Sequence, residues 1–152
     1  MYNDNRCICS LRHGTILAVD RFMFKELNNR ILTLASNIKY TVSDLAPSNE
    51  RDLFNAGSLV IWSGASDNTI WEDPKVNYAF RAIHDTLHIK CGLGFSVAEE
   101  VAIGRIQAAK YDGLLADIIY IEVAKHSEHF KKYGSFPENK KAFTLNLLKQ
   151  VG

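Results

Sequence analysis

The chain of 152 residues has the length of one domain, and we predict a single domain over residues 1–152 with a buried hydrophobic core. Its 18 basic and 17 acidic residues leave a formal net charge of +1, so no strong overall field draws the chain to nucleic acid or to an anionic membrane. Nucleic acid is therefore not an expected partner, and the sequence contains no motif that is typical of nucleic-acid binding.

The sequence favours a cytoplasmic location. Its N-terminal residues show no basic segment followed by an apolar one, so no secretory signal is expected, and no apolar stretch is long enough to cross a bilayer. The three cysteines, Cys7, Cys9 and Cys91, are too few for a disulfide framework and are interpreted as reduced thiols. Cys7 and Cys9 would not complete a metal site by themselves.

The first half of the chain predicts one long helix among less regular segments. Residues 8–19 indicate a short hairpin or an extended segment with a bend at Gly14. From residue 20 onward, apolar side chains recur at helical intervals, which predicts an amphipathic helix of about 18 residues with Asp20 as its N-cap. A turn is expected at residues 47–49 with a short helix after it, and the run at residues 59–62 is typical of a β-strand.

The second half predicts four helices from their start and stop signals. Asp73 and Pro74 indicate the start of a helix that ends near Gly92. Ser96 and Glu99 form a capping-box pattern, so a second helix is expected from there to about residue 111. A third helix follows the break at residues 112–113 and ends near residue 133, and residues 135–137 open the last one. The predicted fold is mainly α, with about five helices in one compact domain and a short extended or hairpin N-terminal part.

Two histidines lie four residues apart in the first of these four helices. His84 and His88 therefore share one helix face, and two imidazoles at this spacing can chelate one metal ion. The His-Glu-x-x-His helix of zinc proteases has the same spacing, but Asp85 stands here where that motif has Glu. Because the aspartate side chain is shorter, we do not predict a protease. Two ordinary surface histidines are the alternative interpretation.

Carboxylates in the next two helices extend this candidate site. Glu100 shares a helical stripe with Gly104 and Gln107, where a glycine would let a neighbouring helix approach closely, although solvated side chains are the simpler interpretation. Glu122 follows a run of apolar residues, where an unpaired carboxylate is costly, and His126 lies one turn further on. Because consecutive helices with short links pack as antiparallel neighbours, we expect these side chains to meet the two histidines.

A cluster of histidines and carboxylates is typical of a site for Zn, Mn or Fe. We predict a divalent metal ion with these ligands: His84, His88, Glu122 and His126, with Glu100 as the alternative to Glu122.

The predicted activity is that of a metal-dependent hydrolase acting on a small phosphorylated or nucleotide-like substrate. Asp85, or whichever of Glu100 and Glu122 is not a ligand, would be the general base for a water molecule that the metal activates. His126 would be a further ligand or a general acid. Arg81 lies one turn before His84 and would hold an anionic group.

Residues 73–134 resemble a family of largely uncharacterised tailed-phage proteins. The family carries an Arg-Ala-Val-His-Asp segment, a Gly-Phe pair, a Glu, a Glu-Thr-Arg-Gly-Gln segment and a final Tyr-Gly or Phe-Gly. The matching residues here are Arg81-Ala82-Ile83-His84-Asp85, Gly94-Phe95, Glu100, residues 122–126 and Tyr133-Gly134. The resemblance implies a phage-encoded protein that acts inside the infected host cell.

The chain departs from this family pattern at three positions. The second histidine of the family often lies one residue beyond His88, a family histidine falls at Gln107, and the family's glutamine falls at His126. Since imidazole and amide groups suit different metals, these exchanges would change which metal the site prefers.

Two other functions fit parts of the sequence. A non-enzymatic phage protein would bind a host protein or a virion protein, and the polar cluster would then be a structural hydrogen-bond network. A phosphoesterase of the 2H type would use two His-x-Thr motifs, His13/Thr15 and His84/Thr86, on adjacent β-strands. The helical spacing of the apolar residues around the second motif argues against the 2H interpretation.

Overall fold

A computed structural model of the chain describes residues 16–55 and 57–150. This part of the chain is mainly helical, as predicted, with five helices and one small sheet. The helices are α1 (Ile16–Ala35), α2 (Pro74–Cys91), α3 (Val97–Ala108), α4 and α5 (Lys140–Gln150). Helix α4 is continuous and has three parts, which are an α-helical part over Gly113–Tyr120, a π-helical turn over Ile121–Lys125 and an α-helical part over His126–Tyr133.

The sheet has three strands in the order β1-β3-β2, with β1 at Tyr40–Ser43, β2 at Phe54–Asn55 and β3 at Ser58–Trp62. Strand β1 pairs with β3 in parallel, and β2 pairs with β3 in antiparallel fashion. The predicted strand at residues 59–62 is therefore confirmed as the central strand. A single 3-10 turn at Glu50–Leu53 precedes β2 and fits the short helix expected after residue 49.

The start of α1 differs from the prediction. Residues 16–19 are helical rather than part of a hairpin or an extended segment, and Asp20 therefore lies within the helix and is not its N-cap. A short apolar run does not distinguish a strand from a helix by its periodicity, and Leu17 and Ala18 are good helix formers. The rest of the predicted N-terminal segment lies outside the described residues, as do Cys7 and Cys9.

The helix that carries the two histidines begins and ends as predicted. The Asp73 side chain caps α2 by accepting a hydrogen bond from the Lys75 amide at 2.9 Å, and Pro74 occupies the first turn. Gly92 ends the helix with φ = 63°, in the left-handed region that glycine adopts without strain. These local signals fix the length of α2 and therefore the turn on which each histidine lies.

Helices α3 and α4 approach each other closely at a glycine. The capping box of Ser96 and Glu99 is present at the start of α3. Further along α3, a Cβ atom on Gly104 would lie 3.3 Å from Cγ1 of Val123 and 3.5 Å from Cβ of Ala124. The glycine therefore lets α3 pack directly against the π-helical turn of α4, as its position between Glu100 and Gln107 predicted.

The last helix begins later than the sequence indicated. Residues 135–137 precede α5, and the Asn139 side chain caps the helix by accepting a hydrogen bond from the Ala142 amide at 2.9 Å. Asparagine is among the best N-cap residues, which explains why α5 begins at Lys140 and not at Pro137.

The hydrophobic core lies between α1, α2 and α4, with a second cluster between α2 and the sheet. Trp71 and Phe80 pack against each other in the first cluster, with ring centroids 5.2 Å apart, and Ile118 and Ile119 of α4 are fully buried there. Among the helices that the structure describes, none is long and apolar enough to cross a membrane. Helix α2 contributes to both clusters, so its histidines are set on a rigid support.

Candidate metal centre

Three side chains from α2 and α3 converge on one point. The Nε2 atoms of His84 and His88 are 2.9 Å apart. Glu100 reaches both of them, with Oε2 at 3.2 Å from Nε2 of His84 and Oε1 at 3.3 Å from Nε2 of His88. Within the described residues, these three form the one group of His, Cys, Asp or Glu ligand atoms that all lie within 4.8 Å of one another. We call His84, His88 and Glu100 the trio.

The second ring nitrogen of each histidine has its own hydrogen-bond acceptor. Nδ1 of His88 lies 3.0 Å from the carbonyl oxygen of Leu93, and Nδ1 of His84 lies 3.1 Å from Oε1 of Gln107. Because a backbone carbonyl can only accept, Nδ1 of His88 carries a hydrogen and donates it. Nδ1 of His84 does the same with the Gln107 amide oxygen facing it. In a neutral imidazole the lone pair is then on Nε2, the atom that faces the other members of the trio. This arrangement is found in proteins around histidines that bind metals.

With both imidazoles neutral, the trio places two lone pairs and a carboxylate around one point, and either a shared proton or a metal ion would satisfy them. Burial would raise the pKa of Glu100, but hydrogen bonds from His84 and His88 outweigh burial and hold that pKa at about 2. Burial disfavours the His88 imidazolium, yet the hydrogen bond and charge of Glu100 raise the pKa of His88. A proton can therefore bind among the three side chains of the trio. A divalent metal ion would compete with that proton for the same ligand atoms.

The trio is shielded from solvent but opens on a cavity. His88 is fully buried, whereas the side chains of His84 and Glu100 are 13% and 14% exposed. His84 and Glu100 line a cavity of about 400 Å³. Its walls include five aromatic rings, those of Trp62, Phe80, Phe95, Phe130 and Phe136.

Asp85 and Arg81, both predicted as catalytic, also line this cavity. Burial raises the pKa of Asp85 to about 6, although the charges of His84, His88 and Arg81 each lower it. Asp85 is not one of the three converging ligands, so its carboxylate remains free for another role at the cavity wall.

Arg81 is fixed by the last residue of β3 and by the loop that follows it. Its Nη1 donates hydrogen bonds to the carbonyl oxygens of Trp62 and Gly64, and its guanidinium lies 5.1 Å from the centre of the Trp62 ring. The Trp62 ring lies over Gly64, where any Cβ atom would overlap it. Burial lowers the pKa of Arg81, and the carboxylates of Asp85 and Glu122 oppose that effect. Arg81 therefore stands at the cavity wall with two carboxylates as electrostatic neighbours.

Glu122 and His126 are not brought into the trio. They face the same cavity from α4 but form a separate network with Thr144 of α5. The Thr144 hydroxyl donates to Oε1 of Glu122 at 2.6 Å and lies 2.9 Å from Nε2 of His126. The side chains of Glu122 and His126 are only 6% and 5% exposed, respectively, and Nε2 of His126 is 3.4 Å from Oε1 of Glu122. The expectation that Glu122 would be paired is met, but its partners are a histidine and a threonine.

Two residues near the site were not predicted to take part in it. Gln107 bonds to His84, and its helical stripe with Glu100 was the sequence signal that could have identified it. Thr144 is fully buried in the Glu122–His126 network, and no spacing pattern in the sequence points to it.

The 2H phosphoesterase interpretation is contradicted by the fold. Both His84 and Thr86 lie in α2, and the Thr86 hydroxyl donates to the carbonyl oxygen of Ala82 one turn earlier. Helical residues cannot form the paired strand motif that this chemistry needs. The first motif, His13 and Thr15, lies outside the described residues.

Comparisons of the chain with protein-family models, with curated proteins and with solved structures found no match.

Proposed function

We propose that this chain is a metal-dependent hydrolase in which His84, His88 and Glu100 hold one divalent ion. The observation that carries the proposal is the geometry of the trio, whose two imidazoles present Nε2 toward a shared carboxylate because their Nδ1 atoms are already engaged. Two imidazoles and one carboxylate suit Zn, Mn or Fe. Three protein ligands also leave coordination positions open, which is typical of catalytic rather than structural zinc sites.

The cavity supports a small-molecule substrate. Its volume of about 400 Å³ lies within the range that is usual for small-molecule sites, and aromatic walls combined with a few charged groups are typical of such sites. The two basic residues of the lining, Arg81 and Lys140, together with its aromatic rings suit a phosphorylated or nucleotide-like molecule. The ion would act as a Lewis acid and lower the pKa of a coordinated water molecule.

Asp85 is the proposed general base. Its carboxylate lines the cavity next to His84 but is not needed as a ligand, so it can accept a proton from the attacking water. Arg81 is held at the same wall by the Trp62 and Gly64 carbonyls and would stabilise negative charge on the substrate.

Replacing Asp85 with asparagine should abolish most of the activity without removing the metal. We expect turnover of p-nitrophenyl phosphate, or of nucleotides supplied with Zn, Mn or Fe, to fall by about 10²- to 10⁴-fold, which is the usual contribution of general base catalysis. Metal affinity should change only a few-fold. Asp112→Asn is the matched control, because Asp112 is exposed and its side chain makes no capping hydrogen bond. Wild-type turnover in Asp85→Asn would refute the role of Asp85.

A non-enzymatic function is the second candidate, with a specific observation in its favour. Leu45 and Phe54 are 77% and 54% exposed, and Phe54 lies in an edge strand of the sheet. Exposed apolar side chains of this size are suited to contact with another protein, such as a host protein or a virion protein. Together with the resemblance to tailed-phage proteins, such a binding function would place the chain in the host cytoplasm during infection.

A further inference from the structure

A lysine and a threonine hydroxyl lie on the cavity wall without the partners that such groups normally have. Lys140, the first residue of α5, has no carboxylate within salt-bridge distance among the residues that the structure describes. Thr69 is only 2% exposed, and its Oγ1 has no hydrogen-bond partner in the described part of the chain. Both residues line the same cavity as the trio.

The two chain segments that carry these residues are joined by contacts between their neighbours. The Lys141 amide donates a hydrogen bond to the carbonyl oxygen of Asn68 at 2.6 Å, which joins the start of α5 to the loop that carries Thr69. The Lys141 ammonium and the Glu72 carboxylate form a salt bridge between the same two segments. Lys140 and Thr69, each next in sequence to a residue of that backbone hydrogen bond, therefore lie on adjoining segments of the cavity wall, which we call the Thr69–Lys140 corner.

The charge of this corner differs from that around Arg81. Arg81 has the carboxylates of Asp85 and Glu122 as electrostatic neighbours, and its Nη1 is engaged by two backbone carbonyls. Lys140 carries a positive charge that no described carboxylate neutralises at close range. The amides of Lys141 and Ala142 at the start of α5 are already bonded to Asn68 and Asn139, so an anion here would be recognised by side chains and not by the helix end.

We propose that Thr69 and Lys140 form an anion subsite that binds the phosphoryl group of the substrate. A buried hydroxyl without a partner is costly, and it gains a partner when an anionic oxygen accepts its hydrogen. A lysine ammonium supplies the matching charge and further donors. The assignment of this anion to a substrate rests on the proposed function, whereas the subsite itself can be tested without a metal.

Binding of inorganic phosphate to the metal-free full-length chain tests the subsite. We expect Lys140→Gln to weaken phosphate binding by about tenfold, and Thr69→Val by about three- to tenfold, because each removes a hydrogen bond to a charged group. Lys149→Gln is the matched control, since Lys149 is an exposed lysine in the same helix. The phosphate affinity of this variant should stay within about twofold of wild type.

A second readout separates a ligand-binding role from a structural one. Because the Thr69 hydroxyl has no described partner, Thr69→Val should keep or raise the melting temperature while it weakens phosphate binding. The subsite is overturned if wild type binds no phosphate, or if Lys140→Gln binds it as tightly as wild type. Zn affinity is measured on the same proteins. If the wild-type protein binds Zn but no phosphate, the subsite is refuted and the proposed function is not. If it binds phosphate in a Lys140-dependent way but does not bind Zn, the proposed function is refuted and the subsite is not.

Discussion

Replacing His88 with alanine is expected to abolish metal binding at stoichiometric concentration. The substitution removes one of three ligands, and we expect the affinity for Zn to fall by more than about 100-fold, since loss of a supporting hydrogen bond alone costs 10- to 100-fold. His88 is fully buried and packs edge-on against Phe95, with ring centroids 5.0 Å apart. The void should also lower the free energy of unfolding by about 2–4 kcal/mol. Elemental analysis of protein purified without a histidine tag, with Zn titration and urea unfolding, measures both effects.

His129→Ala is the matched control for this result. His129 lies in α4 and bonds through Nδ1 to the Ser135 carbonyl oxygen, outside the trio. We expect this variant to bind Zn with wild-type affinity. Equal Zn affinity in wild type and His88→Ala would contradict the assignment of His88 as a ligand, and equal losses in both variants would show that the effect is not local to the trio.

Replacing Thr144 with valine is expected to destabilise the fold and leave the metal site intact. Valine has nearly the shape of threonine but lacks the hydroxyl, so Glu122 and His126 each lose a buried hydrogen-bond partner. A buried polar group without its partner costs about 1–3 kcal/mol. We therefore expect the free energy of unfolding to fall by about 2 kcal/mol in chemical denaturation, with unchanged Zn affinity.

Thr86→Val provides the comparison, because it makes the same chemical change at a hydroxyl that bonds only within its own helix. That variant should change the free energy of unfolding by less than about 0.5 kcal/mol. A loss of Zn affinity in Thr144→Val would mean that the Glu122–His126 network and the trio act as one site, contrary to the separation seen in the structure.

Local signals in the sequence were sufficient for most of the helix limits. Asp73, Pro74 and Gly92 define α2 because capping and the left-handed C-terminal residue are properties of a few neighbouring residues. The start of α1 could not be read in this way, since the apolar run at residues 16–19 is compatible with either a strand or a helix. The π-helical turn at Ile121–Lys125 also escaped prediction, because packing against α3 at Gly104 is a property of two helices together.

The candidate site was predictable in part for the same reason. His84 and His88 share a face of one helix, so their proximity follows from helical geometry alone. The stripe of Glu100 and Gly104 indicated the partner side of α3. The distribution of carboxylates between two clusters could not be predicted, because it depends on how α4 is rotated about its axis. Thr144 was missed since its role arises only when α5 packs beside Glu122.

X-ray absorption of the Zn-loaded protein tests the central claim most directly, because it reports the ligands of the ion itself. We expect one Zn per chain, with two imidazole nitrogens at about 2.0–2.1 Å and additional oxygen ligands from Glu100 and water. Glu100→Gln should weaken Zn binding strongly while Glu122→Gln leaves the spectrum unchanged. A spectrum without two imidazoles, or one that changes in Glu122→Gln and not in Glu100→Gln, would contradict the assignment of His84, His88 and Glu100 as the metal centre.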